Sequence, residues 1–519
     1  MMNRMALILL LLVQCIQSIG QAKHGYTWLV GSFWQNLNFQ KNPLAVDTLP
    51  NQVYTYFHQG HSNICDTSGN LILACDGYNI YDSLGHFIED GDSLASNELY
   101  IDENGWSGFA QSSLILPMGQ NIYYQITLNA TDSIFLNWYT IPYVPNAWFD
   151  EILLHKIDMN ANGGLGKVIE KGKKIIKQEK MLRTMMMACR HANGKDWWLL
   201  KQMYEDSGNF DGLFPLCKNK IAKILITKDS IYPPTFQYFN APDFGFFEQS
   251  GQAMFSQDGT QYASTCRSTN KVFLADFDRC TGMLSNGKSI NVPDFSRHDP
   301  SDTTLQDVYT QGLCFSPNGQ FLYVNKFFNL LQYDLSDPDS STAWYHIAGL
   351  DTTWSAFQKY SSSYVGPDGK IYVGNWWGMS QQMSVINSPN VKGAGCDFCP
   401  RCLRFPYPNI AGASCPPNMP NYELGADLPC WPLSLPSPLK EGDEMLMVYP
   451  NPASTSITIS CEALKGKRIQ VTLFNMLGQT MMSQECHFAQ QKSSIDVLNL
   501  PRGVYLLKVG EWVRRVVVE

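Results

Sequence analysis

The segment HANGKDWWLL, at residues 191–200, has the residue types that general acid–base chemistry needs. His191 could act as the base and Asp196 as the carboxylate that orients its ring. The same pattern is typical of a hairpin turn, because Asn-Gly accommodates the positive φ of a tight turn. Trp197 and Trp198 would then pack inside the strand that follows. We favour the turn, and the sequence predicts no catalytic residue.

Five cysteines are concentrated near residue 400, in the run CDFCPRC and shortly after it. The CxxC spacing could chelate zinc, whereas in an exported chain the same thiols can form disulfides. We predict disulfides or a locally stapled loop and no metal site, with free or mixed thiols and zinc as the alternatives. The spacing does not determine the connectivity. The candidate residues are Cys396, Cys399, Cys402, Cys415 and Cys430.

Other ligand-binding motifs are incomplete. NGGLG at 162–166 lacks the Lys-Ser/Thr that phosphate binding requires, so it indicates a turn inside a hairpin. DLSDPDS at 334–340 lacks the order of an EF-hand loop, and aspartates in turns mostly bind their own backbone. The sequence has no GxSxG elbow and no HExxH helix. No cofactor is predicted.

Trp376 and Trp377 form the weakest candidate site. Flat aromatic rings can stack on sugar rings, which would give a carbohydrate-binding platform. The alternative is that both rings pack in a hydrophobic core, as most large aromatic side chains do.

Composition limits the class of protein. The chain has 519 residues, 44% of them hydrophobic, a net charge of −8 and only 16% charged residues, so nucleic acid is an unsuitable partner. Arg4, an apolar stretch at 5–16 and small residues at 18–20 predict a signal peptide over residues 1–20. No later segment is apolar for long enough to be a membrane helix. The lysines between 167 and 190 predict a solvated edge strand, with an anion-binding surface as the alternative.

The elements that would position any site are predicted to be β-strands. Six turns ending in glycine are each followed by an apolar or aromatic strand, about 50 to 75 residues apart; the glycines are Gly69, Gly119, Gly194, Gly259, Gly319 and Gly369. This period predicts an all-β propeller of six to eight blades, and seven is favoured. We expect the strand TWLVGSF near the N-terminus to close the ring by pairing with the last blade. Helical periodicity is clearest at 174–187.

Proline density changes the pattern between residues 396 and 445. Ten prolines remove donors for sheet pairing, so we expect a loop and linker there, after a propeller at 21–395. Alternating strands return at 446–519. In RIQVTLFN, Ile469, Val471 and Leu473 share one face, as a half-buried strand requires. Five short strands in about 74 residues predict a small Ig-like sandwich.

The end of the chain resembles the type A C-terminal sorting domain of the type IX secretion system. The resemblance rests on YPNPAS (449–454), FNMLGQ (474–479), LPRGVYLLKV (500–509) and the final strand RRVVVE (514–519). It implies recognition by the outer-membrane export machinery, and usually removal of the domain. Pro450 and Pro452 are expected to begin the first strand and separate it from what precedes. The motif residues are Tyr449, Pro450, Asn451, Pro452, Gly478, Pro501, Gly503 and Tyr505.

Residues 25–430 are similar to a family of secreted Bacteroidota β-propellers. The resemblance rests on segments such as GNLILACDGYNIYD (69–82), FSPNGQFLYV (315–324), VINSPNVKGAGCDF (385–398) and PPNMPNYELG (416–425). The biochemical activity of that family is not established, so the resemblance implies an architecture and a destination. Cys399 and Cys402 are additional to its pattern.

Together these observations predict a secreted or surface-displayed propeller that acts as a binding or structural module. We expect it to cross the inner membrane with its signal peptide, then the periplasm, and then leave through the type IX machinery. Its partners would be that machinery and an extracellular glycan or protein. The alternative is a hydrolase or lyase that acts on an extracellular glycan or another small substrate at the central channel.

Overall fold

The computed structural model is almost entirely β-sheet, built from antiparallel sheets that follow one another along the chain. It describes residues 22–32, 34–49, 55–57, 59–95, 109–134, 148–211, 214–245, 251–266, 269–294, 310–349, 359–376, 381–406, 413–427, 446–475, 479–489, 491–510 and 512–518. The predicted signal peptide lies outside these residues. No described helix is long and apolar enough to cross a membrane.

The N-terminal part forms two three-stranded sheets and a two-stranded ribbon. The first sheet contains β1 (Thr27–Leu29), β3 (Gln35–Asn38) and β4 (Ala45–Thr48). The ribbon contains β2 (Gly31–Ser32) and β5 (Tyr56–Phe57). The second sheet contains β6 (Ser62–Cys65), β7 (Leu71–Cys75) and β8 (Ile80–Asp82).

Five larger sheets follow, each of four or five strands. The first larger sheet contains β9 (Ser113–Gly119), β10 (Ile122–Asn129), β11 (Glu151–Asp158) and β12 (Lys167–Ile176). The second contains β13 (Met181–Arg190), β14 (Trp197–Met203), β15 (Asp206–Asp211), β16 (Phe214–Ile226) and β17 (Thr235–Gly245). The third contains β18 (Ala253–Phe255), β19 (Gln261–Cys266), β20 (Lys271–Asp278) and β21 (Met283–Asn291). The fourth contains β22 (Thr310–Phe315), β23 (Phe321–Lys326), β24 (Leu330–Asp334) and β25 (Trp344–Ala348). The last contains β26 (Tyr360–Val365), β27 (Ile371–Trp376), β28 (Gln382–Ile386), β29 (Phe398–Arg404) and β30 (Ala413–Ser414). Short 3-10 turns lie at Asn162–Gly164 and Gly393–Cys396.

The first strands of successive sheets lie side by side around a common centre. β6 contacts β9, β13 contacts both β9 and β18, and β22 contacts both β18 and β26. β1 contacts β6, and Trp28 and Phe39 of the first sheet pack edge-on against Tyr372 in β27, with ring centroids 5.4 and 5.2 Å apart. The described residues therefore form a closed β-propeller of seven sheets, which confirms the predicted fold class.

Closure of the ring differs from the expectation. β1 pairs with β3, inside its own sheet, so the N-terminal strand adds no strand to the last blade. Aromatic packing against Tyr372 joins the ends instead. The last blade is also longer than predicted, because β29 at Phe398–Arg404 is its outer strand. Pro400 is tolerated there because one side of an outer strand needs no ladder donor.

The turn glycines confirm the strand pattern. All six predicted positions have positive φ, between 70° and 95°. A side chain is disfavoured at such angles, which explains why glycine ends these turns. At Gly259 an added Cβ would also meet Leu424, 2.7 Å away.

The lysine-rich segment forms two strands, so the helical periodicity at 174–187 does not correspond to a helix. β12 is the outer strand of its blade, as predicted for an edge. Lys167 contacts Glu89 at 2.5 Å, and Lys173 contacts Glu170 at 3.2 Å. β13 is the buried inner strand of the next blade. Apolar content, rather than a helical period, dominates residues 181–189.

The C-terminal residues form a separate sandwich with its own hydrophobic core. One sheet contains β31 (Met447–Tyr449), β32 (Ser456–Ser460) and β35 (Lys492–Asp496). The other contains β33 (Arg468–Asn475), β34 (Thr480–His487), β36 (Gly503–Val509) and β37 (Trp512–Val518). A 3-10 turn lies at Glu462–Leu464. Val471 and Leu473 are fully buried while Gln470 is exposed, as the alternation predicts.

Candidate functional site

The central channel of the propeller is occupied by the chain itself. Residues 415–424, which we call the channel segment, follow the short strand β30 and have no regular secondary structure beyond a turn. Residues 415–420 are buried in an unbroken run. Three prolines in this run remove backbone donors that would otherwise need partners inside the channel.

Asn418 is the centre of this segment, and only 1% of it is exposed. Its backbone N–H donates to the carbonyl of His61, the residue just before β6, at 2.9 Å. Its side-chain amide donates to the carbonyls of Ser113 in β9, at 2.9 Å, and Met186 in β13, at 3.2 Å. Its side-chain oxygen accepts from the Tyr364 hydroxyl in β26 at 3.1 Å. One asparagine thus joins four blades.

Two glutamines complete the polar interior of the channel. Gln111 donates to the carbonyl of Ala253 at 2.9 Å and accepts from its N–H at 2.8 Å. Gln252 accepts from the N–H groups of Leu313 and Ser363, each at 3.0 Å. These amides are neutral and hydrogen-bonded to backbone, so they orient and connect the blades.

The segment leaves the channel over the first three of the five larger sheets. The Tyr422 hydroxyl donates to the carbonyl of Ile115 at 2.9 Å, and Arg190 donates to the carbonyl of Tyr422 at 3.3 Å. Arg279 donates to the carbonyl of Gly425 at 2.5 Å and lies 3.7 Å from the Asp427 carboxylate. The C-terminal end of the channel segment is therefore fixed.

A pocket of about 290 Å³ lies where the segment emerges, and we call it the mouth pocket. Its walls come from the first sheet, three inner strands and their turns, and the channel segment. The aromatic residues that line it are Trp28, Phe255, Tyr364 and Tyr422. Its charged lining residues are Arg190 and Glu423. The pocket thus combines buried aromatic rings with few polar groups, as small-molecule sites do.

Burial shifts the pKa of both charged lining residues. It lowers the pKa of Arg190 to about 10, which still leaves the guanidinium charged at neutral pH. It raises the pKa of Glu423. The Arg190 guanidinium lies 4.0 Å over the Trp197 ring, which stabilises the cation inside the protein.

His191 and Asp196 have the geometry of the predicted turn. The His191 N–H donates to the carbonyl of Asp196 at 2.8 Å. The imidazole binds elsewhere, with Nε2 3.1 Å from the Cys280 carbonyl and Nδ1 accepting from the Asn193 N–H at 3.0 Å. The Asp196 carboxylate accepts from the Asn193 side chain at 2.6 Å. The two side chains therefore hold a turn and do not form an acid–base pair.

The cysteine prediction needs a correction. Cys396, Cys399, Cys402 and Cys415 are free thiols in the structure, so no bridge joins them, and Cys430 lies outside the described residues. Cys396 and Cys415 are buried in different places, one beside Tyr323 and one 3.0 Å from the Ser361 hydroxyl. Burial and the neighbouring Cys399 raise the pKa of Cys402 to about 12. Within the described residues no group of three His, Cys, Asp or Glu side chains could hold a metal.

The remaining predicted site residues that the structure describes do not line the mouth pocket. Trp376 ends β27, where its backbone pairs with Ala413, and Trp377 lies outside the described residues. Of the sorting-motif residues, Gly478 also lies outside them. Gly503 begins β36, and the buried Tyr505 donates to the carbonyl of Pro501 at 2.5 Å.

The first motif, at residues 449–452, joins the sandwich to the propeller. β31 ends at Tyr449, so Pro450 and Pro452 follow the strand instead of beginning it. The Tyr449 ring is buried against Phe236 and Tyr238 of β17, with centroids 5.4 and 6.2 Å away. Asn451 donates from its N–H to the Phe236 carbonyl at 3.1 Å. The expected separation of the two domains is therefore wrong at this motif.

An ionic network lies beneath this contact. Lys220, 3% exposed, lies 4.7 Å from the Tyr449 ring centroid and 3.1 Å from the Glu205 carboxylate. Glu205 also accepts from the Tyr238 hydroxyl at 2.7 Å. Burial opposes ionisation of Glu205, yet Lys220 and the hydrogen bonds from Tyr238 and Lys218 hold its pKa at about 2.

Residues 447–518 match the secretion system C-terminal sorting domain family. This segment is a sorting domain of the type IX secretion system. The match begins at the first residue of β31 and ends at the last residue of β37, so it covers the whole sandwich. The sorting domain supports export to the cell surface or the medium.

No curated protein matches the chain. Among solved structures, it is similar to a periplasmic gluconolactonase of Pseudomonas aeruginosa, with 10% identity over 78% of this chain and 88% of the other and a TM-score of 0.35. It is also similar to hydrazine synthase of Kuenenia stuttgartiensis, with 12% identity over 69% of this chain and 95% of the other and a TM-score of 0.31. At these scores neither likeness supports an inference about this chain.

The sequence prediction missed the residues that form this site. Asn418 and Glu423 belong to PPNMPNYELG, which the sequence places in a proline-rich loop and among the segments that resemble secreted propellers, without indicating a role for either residue. A usable signal was present, because a segment with prolines every few residues cannot pair in a sheet and its remaining polar groups need other partners. Only the ring of blades shows where those partners are.

Proposed function

We propose that this protein is a non-catalytic binding or structural module that is displayed on the cell surface or secreted. The observation that carries the proposal is the occupied channel. Asn418 and its neighbours fill the position at which a propeller enzyme of the alternative class would admit its substrate. We assign ligand binding to the mouth pocket, which lies at the end of the filled channel.

The chemistry of the pocket lining supports binding over hydrolysis. Glycoside hydrolysis commonly needs two carboxylic acids, and nucleophilic catalysis needs a nucleophile next to a base. The mouth pocket is lined by one carboxylate, Glu423, and one guanidinium, Arg190. The nearby channel amides, Gln111 and Gln252, are neutral and already hydrogen-bonded.

The route of export follows from the two ends of the chain. The apolar segment at residues 1–20 serves as a signal peptide into the periplasm, and the sorting domain then directs the folded chain to the type IX machinery. The extracellular partner is a glycan or protein ligand of the mouth pocket. No metal or cofactor takes part.

A binding screen with the full mature chain, from residue 21, tests the proposed function. We expect saturable binding to an extracellular glycan or small ligand, with the ligand recovered chemically unchanged by mass spectrometry. Gln257→Trp, which fills the pocket from its lining, should abolish binding, whereas Lys195→Trp on an exposed turn should not. Turnover of the ligand in proportion to protein concentration would contradict the proposal and favour the hydrolase or lyase.

Export is tested separately in a cell that has a type IX system. Deletion of residues 446–519 should leave the propeller in the periplasm, and fusion of those residues to an unrelated periplasmic protein should bring that protein to the surface or medium. Export of the truncated chain would contradict the assigned role.

A further inference from the structure

Glu423 is a half-buried carboxylate in the wall of the mouth pocket. Its backbone N–H donates to the Asn421 side-chain oxygen at 3.0 Å, which fixes the local turn. Its carboxylate has no hydrogen bond or ion pair with any residue that the structure describes. A carboxylate removed from water without a partner is costly, so this group is suited to an incoming cation or donor.

Arg190, which lines the pocket, and Lys23, two residues before the lining residue Gly25, are both engaged elsewhere. Arg190 donates to the carbonyls of Lys195 and Tyr422, at 3.0 and 3.3 Å, and stacks on Trp197. Lys23 lies outside the lining, with its ammonium 5.3 Å from the Tyr26 ring centroid. Burial raises the pKa of Glu423, and no described cation offsets that shift. The negative charge of Glu423 is therefore left available to a ligand.

The other walls suit the same kind of ligand. Trp28 and Tyr364 are 3% and 4% exposed, and both line the pocket. Aromatic faces attract organic cations through the ring quadrupole, and more strongly where water is excluded. A carboxylate beside aromatic walls is the usual chemistry of sites for substituted ammonium groups.

We propose that the mouth pocket binds a small organic molecule that bears an ammonium group, with Glu423 as its counter-ion and the aromatic walls around its body. This inference rests on the proposed binding function and adds the charge class of the ligand. Asn421 and Gln257 supply the polar contacts at the rim. Their side chains already lie 3.2 Å apart there.

Three hexoses that differ in charge test the proposal: one is a cation, one is neutral and one is an anion. Glucosamine, glucose and glucuronate are titrated into the full mature chain by calorimetry. We expect glucosamine to bind about tenfold more tightly than glucose, the size of a single charge-assisted contact in a partly dry site, and glucuronate to bind most weakly. Glu423→Gln should abolish the preference for glucosamine. Glu170→Gln, a carboxylate on the outer strand β12, should leave it unchanged.

Three results would overturn the proposal. Equal affinity for glucosamine and glucose would show that the pocket does not distinguish a charged ligand from a neutral one. A preference for glucosamine that survives in Glu423→Gln would show that Glu423 is not the counter-ion. The third result is no binding of glucosamine at all. The screen with Gln257→Trp reports on pocket binding independently of ligand charge, so it distinguishes failure of this inference from failure of the binding function.

Discussion

Replacement of Asn418 by alanine should weaken the whole propeller, because this side chain is bound to three inner strands at once. The change removes its hydrogen bonds to the carbonyls of Ser113 and Met186 and to the Tyr364 hydroxyl. These groups are buried, so water cannot replace the lost partner. The backbone bond from Asn418 to His61 is kept.

The expected cost follows from the number of groups left unsatisfied. A buried group that loses its partner costs about 1–3 kcal/mol. The Tyr364 hydroxyl still accepts from the Gln111 amide at 3.3 Å, but its own proton loses its acceptor, so the two carbonyls and this hydroxyl share the penalty. We expect a loss of about 3 kcal/mol, which is two powers of ten in the unfolding equilibrium.

Urea unfolding followed by tryptophan fluorescence measures this change. The midpoint of the propeller transition should move to lower urea with little change in slope. Asn421→Ala is the matched control, since Asn421 lies in the same segment but bonds at the rim to Gln257. An Asn418→Ala midpoint equal to that of the control would refute the role of Asn418 as the centre of the channel.

Three further predictions concern the domain contact and the thiols. Tyr449→Ala should expose the edge of β17, so amides at 235–239 should exchange faster with deuterium, whereas Met481→Ala on the exposed sandwich surface should have no effect; unchanged exchange in Tyr449→Ala would contradict the buried contact. Because the pKa of Glu205 is lowered to about 2 in the folded chain, its stabilising effect is present above pH 4.5 and is lost as the pH falls toward 2. The melting temperature of Glu205→Gln should therefore lie below that of the wild type at pH 7, with a gap that closes toward pH 2; a gap independent of pH would contradict this. Iodoacetamide should modify Cys402 in the unfolded, unreduced chain, where the raised pKa of the folded state no longer slows its reaction; modification of Cys402 only after reduction would show that the bridge predicted from the sequence forms after all.

Local rules predict the strands of this protein well. Glycines with positive φ mark each hairpin, and alternation in RIQVTLFN identifies the buried face of β33. These features depend on neighbours in the chain, so they can be inferred from it. The lysine-rich segment shows the limit, since β13 is so buried that it has no alternation to distinguish a strand from a helix.

Long-range contacts determine the parts that were predicted wrongly or missed. Asn418 bonds to residues as far away in sequence as His61, and Tyr449 packs against Phe236 in a different domain. No spacing within the chain encodes either contact. The prolines around Asn418 and beside Tyr449 do show that regular strand pairing stops there. They therefore indicate where a strand ends, but not which residues the following segment contacts.

Hydrogen exchange at the Asn418 amide is the most direct test of the occupied channel. The full mature chain is labelled in deuterium and the peptide that covers residues 413–427 is followed by mass spectrometry. Because the Asn418 N–H donates to the His61 carbonyl inside the ring, we predict protection comparable to that of the inner strands β9 and β22. Exchange within seconds, as in an exposed loop, would mean that the channel is open and would contradict the account.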